Sequence, residues 1–147
     1  MSKANAIFSI LTSFILFSCT RSNKSLSCSD FRIGTFSYKQ SQSGNLYSIS
    51  RNDSIQREYS LTTGGVVFAK IKWVSECEYE LQYISDSTAT KDSIAEYIKA
   101  HTLTSKILKT ASGEINGTRY NYCIIESSMP GISQKLRDTL WKHDATD

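Results

Sequence analysis

Four cysteines, two histidines and fourteen carboxylates are the side chains of this chain from which a reaction could be built. A metal centre needs ligands at close, regular spacing. His101 and His143 lie far apart, and no Cys-x-x-Cys or His-x-x-x-His spacing occurs, so no metal is expected. A Ser-His-Asp relay would have to use one of the same two histidines, neither of which has a telling neighbourhood. Gly-x-Ser-x-Gly, Ser-x-x-Lys, His-Glu-x-x-His and glycine-rich phosphate loops are absent. Glu78 and Glu80 could act on glycosides as a carboxylate pair. However, they alternate with apolar residues along a regular face, where a general acid does not acquire the raised pKa it needs. The expectation is a non-enzymatic protein without a cofactor.

Cys19 belongs to a different pattern. Met1-Ser2-Lys3 is followed by an apolar run from Ala4 to Phe17, ending Leu16-Phe17-Ser18-Cys19. A positive head, a short apolar segment and a small residue before the cut describe a secretory signal too short to span a bilayer. Its ending is similar to the lipobox of bacterial lipoproteins. The resemblance implies that residues 1–18 are removed and that the Cys19 thiol carries acyl chains. Two or three chains, at about 0.8 kcal/mol per buried methylene, would make the attachment effectively permanent. The competing reading is cleavage by the general signal peptidase, but no A-x-A-like site lies nearby.

One lysine leaves with the signal, so sixteen basic residues face fourteen acidic ones, a formal charge of +2 on 129 residues. That length suits one domain. The basic residues are interleaved with acids and form no stripe, which argues against nucleic acid. The next segment, Thr20 to Ser27, is small and polar and reads as the flexible part of a tether spanning residues 19–29. The domain then occupies residues 30–143, with a tail at 144–147. In an exported protein, Cys28, Cys77 and Cys123 can supply one disulfide and one leftover thiol, in three possible ways. Cys28–Cys77 is favoured because Cys28 precedes the first strand-like run and could tie the tether end to the sheet. Cys123 lies inside the strand pattern Tyr120 to Ile125 and fits a small buried hydrophobe. Unpaired burial of all three is the alternative.

From Asp30 onward, short alternating runs are separated by turn signals about every ten residues, the mark of an all-β sandwich or barrel. Ser43-Gly44-Asn45, Asn52-Asp53, Gly64-Gly65, Asn116-Gly117 and Pro130-Gly131 supply the turns. Asn116-Gly117 predicts a type I′ hairpin with Glu114 opposite Arg119. In Val67 to Trp73, the residues Val67, Ala69, Ile71 and Trp73 share one face, and Lys70 and Lys72 the other. In Cys77 to Tyr83, Tyr79, Leu81 and Tyr83 oppose Glu78, Glu80 and Gln82. An odd-numbered loop around Ser75 keeps the two apolar faces together and sets Lys70 and Lys72 across from Glu78 and Glu80. Residues 92–101 break the rhythm. Ser93 and Glu96 can form a capping box, and Ile94, Tyr97 and Ile98 fall on one side, so a short helix is expected, with His101 at its C-terminal end. About eight strands make an antiparallel up-and-down meander forming a small barrel or strongly curved sheet.

Cys28 to Phe36, Arg51 to Gln56, Lys70 to Trp73, Cys77 to Leu81 and Asp138 to Lys142 resemble small Bacteroidota lipoproteins of unassigned function, seen mainly in Flavobacteriia. A DNA topoisomerase IV label borne by some relatives does not carry over, because that activity needs a much larger chain and a tyrosine in a DNA-gripping domain. Gly34-Thr35-Phe36 is similar to the Gly-x-Trp opening of lipocalins, with Phe in place of Trp. In the Bacteroidota group, surface-exposed lipoproteins carry acidic residues after the lipidated cysteine. The basic tether here therefore implies the periplasmic face of the outer membrane. Two roles follow for a monomeric, membrane-tethered domain. It could enclose a small apolar or amphipathic ligand among Phe36, Trp73, Tyr79, Leu81 and Tyr83. Alternatively, it could have a filled core and bind an envelope protein or cell-wall component through its outer face or a sheet edge.

Overall fold

A computed structural model describes residues 25–87 and 93–143. The expected signal segment, Cys19, the first part of the expected tether, Asp92 and the tail at 144–147 lie outside the described residues, as does the side chain of Ser93 in the expected capping box. The alternation read from the sequence produces eight strands. These are β1 (Gly34–Lys39), β2 (Leu46–Arg51), β3 (Ile55–Ser60), β4 (Val66–Trp73), β5 (Glu78–Asp86), β6 (Leu103–Ile115), β7 (Thr118–Met129) and β8 (Ile132–His143). A 3-10 helix, Cys28–Phe31, precedes them, and helix α1 (Ser93–Ala100) stands between β5 and β6. Every neighbouring pair is antiparallel, and β8 returns to pair with β1, so the sheet closes into an eight-stranded up-and-down barrel. Closure removes the two outer edges that an open sheet of these strands would have, although β5 meets β6 over only four paired positions and β1 meets β8 over three.

Turn chemistry sets the registers. Asn116 and Gly117 have φ of 51° and 77°, as a type I′ turn requires, and Glu114 stands opposite Arg119. Five residues separate Trp73 from its partner Tyr79, which keeps the apolar faces of β4 and β5 together. Lys72 stands across from Glu80, 3.8 Å from its carboxylate. Lys70, however, faces Gln82, while Glu78 faces Lys106 of β6, because the loop is one alternation longer than the register that pairs Lys70 with Glu80 and Lys72 with Glu78. Register shifts at Phe68/Ala69, Ile107/Lys109 and Ser127/Met129 mark bulges, which bend long strands and help a sheet to curl shut.

Up-and-down topology sends alternate loops to opposite ends. The β2–β3, β4–β5 and β6–β7 turns lie at one end together with the start of β1 and the close of β8; the 3-10 helix seals this end. Its Phe31 is fully buried against Phe36, with ring centroids 6.2 Å apart. The Asp30 carboxylate accepts hydrogen bonds from the backbone N–H and hydroxyl of Ser27. Lys142 Nζ donates to the Asp30 carbonyl, and Thr110 Oγ1 donates to the Leu26 carbonyl. A disulfide joins Cys28 to Cys77 on the β4–β5 loop, with Cα atoms 5.1 Å apart. Cys28 and Ser29 are thus part of the seal, within the segment read from sequence as tether. At the other end, α1 is held to β5 by Lys99 Nζ, 3.5 Å from the Asp86 carboxylate, and to the β7–β8 turn by the Tyr97 hydroxyl, which donates to the Pro130 carbonyl.

Candidate ligand-binding cavity

Alternation determines which side chains point inward, and height along the barrel axis determines what they do there. At the sealed end the interior is filled. Arg51 projects from the last position of β2 and is 3 % exposed. Its Nε donates to Gln56 Oε1 at 2.8 Å, one Nη to the Phe31 carbonyl at 3.0 Å and the other to the Tyr79 hydroxyl at 3.1 Å. Its guanidinium lies 4.6 Å from the Tyr79 ring centroid and 5.3 Å from that of Phe36. A buried cation is tolerated here because three acceptors replace its water.

Above this layer the barrel is hollow. A cavity of about 340 Å³ is walled by Ile49, Ala69, Leu81, Leu103, Ile125 and Leu140, with Ile98 of α1 and His101 just after it at the mouth. That volume lies at the lower end of the range for small-molecule sites. Of the five residues expected from sequence to meet a ligand, Tyr79, Leu81 and Tyr83 line it. Phe36 and Trp73 do not. Phe36 is fully buried beneath Phe31 and Arg51, and Trp73 packs on Tyr79 at a centroid distance of 4.8 Å, with the Arg32 guanidinium 4.7 Å from its ring. Both point inward as their pattern requires, but at the level occupied by the seal.

Polar residues that the sequence reading passed over complete the walls. Glu58 accepts from Gln56 Nε2 at 2.6 Å and from the Tyr38 hydroxyl at 3.2 Å. Tyr38 stacks on Tyr47 at 5.0 Å. Asp138 is buried and accepts the backbone N–H of Ser41 at 2.9 Å. On the far wall, the buried hydroxyls of Ser105 and Ser127 are 2.8 Å apart. His101 Nδ1 donates to the Tyr97 carbonyl at 2.8 Å while its ring stacks on Tyr97, so a neutral ring keeps Nε2 as an acceptor. Glu58 and Gln56 escaped notice because β3 reads Ile55-Gln56-Arg57-Glu58-Tyr59, with its more apolar residues on the outward face. The available signal was the β2–β3 turn. Tyr47, Ile49 and Arg51 alternate inward, and a tight turn at Asn52-Asp53 sets Arg51 opposite Gln56.

Burial drives the titration of these groups. Desolvation raises the Glu58 carboxyl above its ordinary range, and the hydrogen bonds from Gln56 and Tyr38 and the charge of Arg51 offset only part of this. The Tyr38 phenol is raised first by burial and then by the neighbouring Glu58 charge. Burial also pushes the Cys123 thiol up to about 12, the state of an inert core cysteine and not of a nucleophile. His143 lies at the sealed end with Nε2 3.0 Å from Ser37 Oγ, far from His101 at the mouth.

The raised Glu58 has a pH consequence. Folded Glu58 keeps its proton to higher pH than the unfolded chain, where release occurs near 4.3. Its contribution is therefore fully present below that point and is lost as pH rises through the folded value. Glu58→Gln should match the wild type near pH 4 and exceed it by about 1 kcal/mol or more near pH 8 in urea unfolding. Equal stability differences at the two pH values would disprove the desolvated carboxyl.

The chain matches no family model, no curated protein and no solved structure.

Proposed function

We propose that this domain is a non-catalytic, lipocalin-like carrier that holds one small amphipathic molecule inside its barrel. The single observation supporting this reading is the hollow upper half. A core built only for stability is packed close to crystal density, with few voids larger than a water molecule. The walls of this space are mostly aliphatic and aromatic, with a few convergent polar groups, the usual composition of a small-molecule site. The same observation weighs against the alternative of a filled core acting only as an interaction module. Acyl chains on Cys19 would hold the carrier at the periplasmic face of the outer membrane. The described chain enters at the sealed end, so the anchor would leave the mouth unobstructed.

Native mass spectrometry of protein extracted from its own membrane tests both parts. The expected denatured mass is that of residues 19–147 plus acyl chains, and the native mass is larger by a small molecule lost on unfolding. Ala69 lines the cavity and is nearly buried, so Ala69→Trp should fill the space and abolish the extra mass while the circular dichroism stays that of the wild type. An extra mass that persists in the folded variant would place the ligand elsewhere. An unacylated mass would remove the anchor.

A further inference from the structure

Resting on the carrier reading, we infer that the bound molecule presents a cationic nitrogen to the Glu58–Tyr38–Asp138 side of the cavity, with its apolar part against Leu81, Ile125 and Leu140. Two carboxyl groups face this space, and no lysine or arginine lines it among the described residues. The nearest buried cation, Arg51, is committed one layer below to Gln56, Phe31 and Tyr79.

The network also has a direction. Arg51 Nε fixes the Gln56 carbonyl oxygen, which forces the Gln56 amide N–H toward Glu58 and makes Glu58 the terminal acceptor. Tyr38 donates to its second oxygen. Asp138 enters from β8 and also acts as an acceptor, of the Ser41 N–H. A ligand carboxylate would meet this wall acceptor to acceptor, whereas an ammonium group would supply the missing donors and charge. Tyr38 and Tyr47, stacked on each other at 5.0 Å, also line this side. Burial raises the Glu58 titration, and the charge of Arg51 one layer below offsets only part of this. A cavity of about 340 Å³, at the lower end of the range for small-molecule sites, suits a small amine.

Three probes of one shape isolate the head group. Hexylamine, hexan-1-ol and hexanoate are titrated calorimetrically into the full-length protein in lipid nanodiscs, with empty nanodiscs as the blank for partitioning. Hexylamine should bind at least about tenfold more tightly than hexan-1-ol, with hexanoate weakest. Equal binding of all three, or tightest binding of hexanoate, would overturn the cationic assignment and leave the carrier intact. No binding of any probe above the blank would overturn both. In Glu58→Gln, the ratio of amine to alcohol affinity should fall towards one; an unchanged ratio would remove Glu58 from the recognition site.

Discussion

Arg51→Ala should destabilise the domain by about 3 kcal/mol or more, lowering Tm by roughly 10 °C. The guanidinium is nearly fully buried and donates to the Gln56 side chain, the Phe31 carbonyl and the Tyr79 hydroxyl. Removing it leaves these acceptors without their donor, at about 1–3 kcal/mol for each that water cannot reach, and opens a void between Phe36 and Tyr79. Arg51→Lys should recover only part of the loss, because one ammonium cannot reproduce the planar fork. The effect should reach the cavity as well. Gln56 loses the bond that orients it, and Glu58 loses a fixed donor. Urea unfolding with tryptophan emission as the probe measures the first effect, and probe binding to folded variant measures the second. A loss under about 1 kcal/mol would mean that the network does not hold the seal.

Replacing both Cys28 and Cys77 by serine should cost about 4 kcal/mol, the loop-closure value for a bridge of sequence separation 49. The bridge ties the 3-10 helix to the β4–β5 loop, and without it the seal is held by Phe31 packing and a few hydrogen bonds, including those of Lys142 and Thr110. Trp73, packed at that end, should report loosening before the barrel itself unfolds. Reductant should shift the wild type to the same midpoint as the variant. Identical midpoints with and without reductant would show that the bridge does not contribute.

The sequence by itself determined the strands, the turns and the face of nearly every residue in β4 and β5. Period-two alternation and positive-φ turn residues are local properties, readable without knowing what lies opposite. The same holds for Glu114 facing Arg119 across Asn116-Gly117. The tertiary structure alone decided height along the barrel axis. Phe36 and Tyr83 both follow an inward pattern, yet one is clamped under the seal and the other lines the cavity, because closure and the 3-10 helix fill one end only. It also decided β3. There the buried face is the polar one, Gln56 and Glu58, against the apolar preference of the segment. The physical reason is that Arg51, buried on β2, needs an acceptor at the paired position, a demand that arises from cross-strand pairing and is invisible in the hydrophobic pattern of a single strand.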